Sequence, residues 1–529
     1  MKRITVKRGD TSYFGGLSNQ LTYQQDNLKK YIQAPVNLAN FKAQIELKKA
    51  HFTNEKRVLL HEVLVGQLSA YFHHNKVKEN VDLLLKDNTF TVIAGHQLNL
   101  YGGPLYTIYK IMDAIRLAEE LSKKYPENNF VPVFWMATED HDFEEINHLH
   151  LFGETLTWNS EQVGPVGRFN LDGFEEVKDA IQEKFQNNPN FAAFLDKFYK
   201  NGSLTDATVE TFMELVGEEY GLVIIDGDSQ QLKASFAGTM RKEIETPFAE
   251  KLIAETTQQL EADGYHGQAH ARPINLFYIK DQLRERIIAL EDGSFEAGEL
   301  RFSKEEILNE LSENPQRFSP NVVFRPLYQE SVLPNLCYLG GGGEMAYWLQ
   351  LKAMFEEAAV PYPLIKVRNS VQWLDKTTVN RLDKLSFEVT DIFESIHELK
   401  KRFVFENSGD ELDFSVLESM ENQLIAEVEK TVLSVDKGLD GYVKGEIVRL
   451  QKQLDNLKQK LVREQKKKHE NAMGQIDGIY EKMFPGNGLQ ERYENMIPYL
   501  AKYGVKEYIS MVHDIIDPFE NDLIIVVEE

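Results

Sequence analysis

The stretch TFTVIAGHQLNLYGGPLYTIYKIMDAIRLAEELSKKYPENNFVPVFWMATED, residues 89–140, decides the fold. It opens on the β-rich run Thr89 to Ala94 and passes a glycine-bearing turn. Helical spacing follows from about Pro104 to Lys124, then a second apolar run, Val131 to Ala137. That is a strand–helix–strand unit. Proline at the first helical position needs no N–H donor, and the second run is apolar on both faces, as a buried parallel strand must be. The unit predicts an α/β protein with a Rossmann-like, doubly wound parallel sheet.

Upstream, LKKAHFTNEKRVLLHEVLVGQLSAYF carries apolar residues at three- and four-residue spacings, so the first eighty residues read as helices covering the sheet. Downstream, Gly221 to Asp226, Leu333 to Leu339 and Tyr362 to Val367 read as further buried strands. The core therefore extends over residues 1–375, with inserted connecting subdomains at about 155–215 and 240–320. Residues 376–480 change to helices rich in Glu, Lys, Gln and Leu. Within them Val443, Ile447, Leu450, Leu454, Leu457 and Leu461 alternate in the steps of a heptad seam. The stretch from Leu417 to Leu439 supplies an opposing helix, joined by a turn near Gly438 to Gly445 or paired across a dimer. Residues 481–529 return to the core and close on DLIIVVEE, a strand.

Composition narrows the class of partner. A chain of 529 residues that is 42% hydrophobic and 27% charged has the make-up of a multi-domain globular protein. The start, MKRITVKRGDTSYF, has no apolar run behind its basic residues, and no later segment approaches a membrane span, so a cytoplasmic protein without membrane contact is expected. The single cysteine, Cys337, excludes an intramolecular disulfide and a cysteine-rich metal site, and no metal-ligand set is expected. A net charge of -24 repels polyanions, which argues against nucleic acid and for small-molecule substrates.

In an open α/β sheet ligands bind beyond the carboxyl ends of the strands, and three clusters fall there. In AGHQLNLYGGPLYTIYK, Gly95, Gly102 and Gly103 let backbone approach an anion at the following helix start, with His96 as a donor to it. In FWMATEDHDFEEIN, Glu139, Asp140, His141 and Asp142 crowd the end of an apolar strand; a carboxylate there suits a substrate amine or Mg²⁺, and His141 suits a base. In NLCYLGGGGEMAYWLQLKAMF, Gly340 to Gly343 are freer than a plain connection needs and read as a backbone nest for an anion. Arg325 and Arg368 lie beside these strands as clamps for carboxylate or phosphate, and 484–495 is a candidate second nucleotide pocket. Neither a P-loop nor a nicotinamide fingerprint occurs in these loops.

At these residues the sequence resembles the bacillithiol biosynthesis cysteine-adding enzyme family, BshC. The resemblance rests on GHQLNLYGGPLYTIYK, VPVFWMATEDHDFEEIN, HARPINLFY, SPNVVFRPLYQESVLPNLCYLGGGGEMAYWLQL and FPGNGLQERYENMIPYL, which follow the family's order over most of the chain. It departs at His96, where glutamine is usual, and at Gly342, where proline is common. The resemblance implies a nucleotidylyl-transferase-like core and a coiled coil that makes a homodimer. It implies a carbon–nitrogen ligase adding L-cysteine to glucosaminyl malate, with carboxyl activation by ATP and Mg²⁺ as the expected cofactor chemistry. Asp140 and His141 are then the catalytic candidates, and Gln97, Asn147 and Arg325 the substrate-binding ones. Gly95, His96, Gly102, Gly103, Gly341, Gly343, Glu344 and Arg368 would shape the nucleotide or anion site. The rival readings are another carboxylate–amine ligase or nucleotidyl transferase, and a nucleotide-responsive coiled-coil scaffold.

Overall fold

All five apolar runs of the core form strands and pair with one another. They are β1 (Thr89–His96), β2 (Asn129–Met136), β3 (Val223–Asp226), β4 (Asn335–Gly340) and β5 (Leu364–Val367). In the computed structural model, which describes residues 1–200 and 202–529, they make one sheet in the order β5-β4-β1-β2-β3. Every pairing is parallel. The order reverses between β1 and β4, and this is the switch point where a doubly wound sheet opens a crevice.

The helix between β1 and β2, α1 (Tyr106–Lys124), presents Ala114, Leu117, Ala118 and Leu121 to a buried cluster with Phe90, Val92, Ala94, Leu336, Leu339 and Leu364. Its last turn carries Lys123 and Lys124, which complement the carbonyl end of the helix dipole. Asp113 of α1 is fully buried and bonds Lys366 of β5 at 2.7 Å and the Asn369 N–H at 2.9 Å, which locks helix to strand. Cys337 lies within this core; burial pushes its thiol above the ordinary range, and it packs as a small hydrophobe.

The chain divides into two compact units. One comprises Arg3–Gln372 and Gln490–Ile525 and holds the sheet. Its first insertion is helical, with Glu175–Lys184, Pro189–Leu195 and Leu204–Phe212. Its second contains a three-stranded antiparallel sheet of Phe318–Pro320, Leu276–Lys280 and Leu283–Arg286. Helix α2 (Gln230–Glu245) follows β3, and α3 (Gly342–Trp348) follows β4. The chain begins on a strand, Lys2–Val6, ahead of the predicted helices.

The other unit comprises Met1–Lys2, Trp373–Leu489 and Val526–Glu529. Its helices α4 (Ser415–Val435) and α5 (Asp440–Lys468) form a hairpin, and Lys458 of α5 reaches Glu418 and Glu421 of α4 at 3.2 and 3.5 Å. The turn falls at 436–439, so Gly441 and Gly445 lie inside α5 rather than in the connection. Val443 and Ile447 are buried, but Leu457 and Leu461 remain 49% and 42% exposed, and Met420 and Leu424 of α4 are exposed as well. Two helices cannot cover both seams. Among the described residues, no helix is long and apolar enough to cross a membrane.

Candidate functional site

The carboxyl ends of β1, β2 and β4 open into a cleft of about 780 Å³. Gly95, His96 and Gln97 line it from β1, Met136 to His141 from β2, and Gly343, Glu344 and Tyr347 from α3. The second insertion supplies the facing wall. There Arg284 and Arg286 are two apart on one strand, so they share a face, and Phe277 pairs opposite Arg286 on the neighbouring strand. The guanidinium carbons stand 3.9 and 5.8 Å from the Phe277 ring centre, and Arg272 joins them at the cleft.

The predicted catalytic pair occupies this cleft. Asp140 accepts hydrogen bonds from Gln97 Nε2 at 2.9 Å and from the His141 N–H at 2.8 Å. Burial opposes its ionisation, but these bonds and the nearby Arg284 outweigh burial and hold Asp140 below the usual carboxylate range. It is a fixed anion, suited to hold a cation and too acidic for a strong base. His141 Nδ1 faces the Arg284 guanidinium at 2.7 Å. With the guanidinium as a permanent donor, that nitrogen is the acceptor, and the contact holds Arg284 beside Asp140 at the cleft.

Glu139 reaches the same cleft from its buried side. Its carboxylate lies 2.5 Å from Lys233 of α2, which also bonds Asp228 at 2.9 Å; Arg168 in turn holds Asp228 at 2.7 Å. Burial pushes the Glu139 carboxyl up, Asp228 adds to the push, and Lys233 opposes it. Asp226, which accepts from the Thr138 hydroxyl, is pushed up to about 6 by burial and by Asp228. Neither the α2 lysine nor the arginine wall was legible as part of this site, because both arrive through contacts distant in sequence. For Glu139 the signal was present: it is the first of the titratable residues crowded just beyond the buried strand β2.

Beneath the cleft floor, Lys110 of α1 donates to the Gly95 carbonyl at 2.7 Å and to Glu344 at 2.8 Å, and the Tyr338 hydroxyl donates to Glu344 at 2.5 Å. A Cβ on Gly95 would come within 2.8 Å of the Tyr338 hydroxyl, so this glycine serves the packing of β1 against β4. Arg325 is half-buried, its guanidinium 5.8 Å from the Tyr338 ring centre, and bonds Gln329 at 2.9 Å while lining the cleft. His96 is held neutral, its pKa lowered to about 3 by burial and by the charge of Lys110, and its Nε2 has no hydrogen-bond partner.

Other predicted residues lie elsewhere. At Gly102 and Gly103 the backbone N–H groups donate to the Asn99 and Leu100 carbonyls, the Tyr101 N–H to Tyr199, and the Leu105 N–H to the Glu494 carbonyl. Asn495 bonds the Gly103 carbonyl at 3.0 Å. The anion-binding role expected of this turn therefore lacks its donors at these four residues. Asn147 is outside the cleft lining; its Oδ1 faces His148 Nδ1 at 3.1 Å and its carbonyl accepts from the Trp158 N–H at 2.7 Å. Arg368 pairs with buried Glu491 at 2.8 Å and, with Gly341 and Gly343, lines a second cleft. Of the segment 484–495, Glu491 and Asn495 are structural anchors, while Arg492 and Tyr493 line clefts.

Residues 3–369 match the family model described as bacillithiol biosynthesis BshC, N-terminal Rossmann-like domain, and residues 371–528 match that of the BshC C-terminal coiled-coil domain. Curated relatives named "Putative cysteine ligase BshC" are similar over nearly their whole lengths. That of Flavobacterium johnsoniae is 38% identical over 98% of this chain and 98% of its own. That of Christiangramia forsetii is 38% identical over 97% of each, and that of Cytophaga hutchinsonii 34% identical over 96% of each.

Proposed function

The chain belongs to the BshC family of bacillithiol biosynthesis, and on that premise we propose that it is a cytoplasmic ligase joining the carboxyl of L-cysteine to the amine of glucosaminyl malate. The observation that carries this reading is the presence of both signs of charge in the lining of one cleft. Arg272, Arg284 and Arg286 form a cationic wall, and Glu139 and Asp140 an anionic one. Malate brings two carboxylates for the first wall, and an amino substrate brings an ammonium for the second. Asp140, fixed by Gln97, holds the ammonium. Glu139, whose carboxyl burial has raised, is the group suited to accept the proton that the amine must lose before it attacks. His141 orients Arg284.

Joining a carboxylate to an amine is uphill in water, and bound ATP would supply the activation. The cleft fits such a ligand: His96 offers a buried Nε2 without a partner, and Arg325, Gly343 and the start of α3 lie on the same wall system. In this proposal Mg²⁺ enters with the nucleotide, held chiefly by its phosphates. The apolar residues left exposed on α4 and α5 support a homodimer through the coiled coil.

Purified protein incubated with cysteine and glucosaminyl malate, with and without Mg-ATP, tests the reading by mass spectrometry. Bacillithiol formed only with ATP, together with AMP or ADP, is the expected result; an unchanged acceptor under every condition would sink it.

A further inference from the structure

The stretch HARPINLFY, residues 270–278, enters the ligation cleft on an irregular loop between the helix Ala249–Ala262 and the strand Leu276–Lys280. Gln268, Ala269, His270 and Arg272 of this loop line the cleft. A connection of this kind is ordinarily mobile, yet buried side chains fix its backbone on both sides of His270. On one side stands Gln350, fully buried just beyond α3. It accepts from the Gln268 and Ala269 N–H groups at 2.9 and 3.0 Å, and its own amide donates to the Ala269 carbonyl at 2.9 Å and to Thr257 at 2.7 Å. On the other side the fully buried Asn275 accepts from the Arg272 N–H at 3.0 Å. Its amide donates to the Arg272 carbonyl at 2.6 Å and to the buried Glu243 of α2 at 2.8 Å. Pro273 further restricts Arg272 to extended backbone. Buried polar side chains are retained where their hydrogen bonds are satisfied, and here those bonds go to the backbone that flanks His270 and Ala271.

The His270 side chain itself is exposed and makes no hydrogen bond, ion pair or ring contact among the described residues. The other titratable groups of the cleft are engaged. Asp140 accepts from Gln97, Glu139 pairs with Lys233, and Glu344 is held by Lys110 and Tyr338. His141 contacts Arg284, and His96 is kept neutral with its pKa lowered to about 3. A fixed backbone therefore presents a side chain of the type best suited to proton transfer near neutrality, and nothing in the cleft occupies it.

Amide formation has work for such a group. An ammonium that becomes an amide nitrogen loses two protons, one before it attacks the activated acyl carbon and one from the adduct. Glu139 accepts the first. We propose that His270 is a second catalytic residue of the ligation: its imidazole accepts the remaining proton from the adduct nitrogen, while the leaving oxygen departs with the electron pair of its bond to carbon, and passes that proton to solvent. The assignment rests on the ligase reading, which it deepens by dividing the two proton transfers between a buried carboxylate and an exposed imidazole.

Steady-state kinetics of the full chain with cysteine, glucosaminyl malate and saturating Mg-ATP test it. His270→Ala should lower kcat about hundredfold while KM for each substrate stays within about threefold. His270→Asn, which keeps a hydrogen-bonding side chain but cannot take up the proton, should lose as much. Because His270 is exposed, both variants keep the fold, and added imidazole should restore part of the lost kcat in His270→Ala. Wild-type kcat in His270→Ala would overturn the proposal; so would wild-type kcat in His270→Asn, or a loss confined to KM, since either would make the residue a binding contact. A wild-type chain that forms no bacillithiol would instead sink the ligase reading, and this assignment with it.

Discussion

Two turns in this protein lead from a strand into a helix through glycine, and they do different work. After β1, Gly102 and Gly103 have φ of 77° and 69°, and a Cβ on either would come within 2.5 Å of Met496 or Asn99. Their N–H groups are spent inside the turn. After β4, Gly341 and Gly343 have ordinary φ and open space where a Cβ would stand. The first pair is glycine because the backbone demands it. The second is glycine where neither conformation nor packing does. A run of glycines between a strand and a helix thus carries two physical meanings, and spacing alone does not separate them.

The contrast breaks most visibly in stability. Gly103→Ala must hold a side chain at positive φ against Asn99, and a loss of about 3 kcal/mol is expected in urea denaturation. Gly343→Ala, inside a helix with room for the methyl, should change stability by less than about 1 kcal/mol, in the stabilising direction. Equal losses at the two sites would erase the distinction.

His96 sharpens the comparison from the β1 side. Its folded pKa of about 3 lies below the ordinary 6.5, so the folded state binds fewer protons than the unfolded state between those values. Its contribution is complete above pH 6.5 and is lost as the pH falls, by about 2 kcal/mol at pH 5. His96→Gln should therefore flatten the decline in stability between pH 7.5 and pH 5. A parallel decline in the variant would mean that the ring is not held neutral in the fold.

The sheet was legible because its strands are mainly apolar runs between turns, the pattern of strands buried on both faces. The Lys2–Val6 strand was not: two of its five residues are charged and none of the five is fully buried. The site was legible to the same depth. Asp140, His141 and Gln97 sit at strand ends, where the topology puts ligands. Arg284 and Arg286 could not be read there, because an antiparallel pairing within an insertion brings them to the cleft. The heptad was read correctly as helices packing together, yet the hairpin turn fell before Gly441, since Asp436 accepts from the Gly438 N–H and closes the connection early.

The ligation cleft is the central claim, and the acceptor kinetics of Arg286→Gln test it most directly. Arg286 is solvent-exposed and lines the cleft, so the substitution leaves the fold intact. If this arginine meets the malyl carboxylates, KM for glucosaminyl malate rises about tenfold while KM for cysteine stays within about twofold. Wild-type values for both substrates would contradict the assignment of the arginine wall and, with it, the placement of the reaction in this cleft.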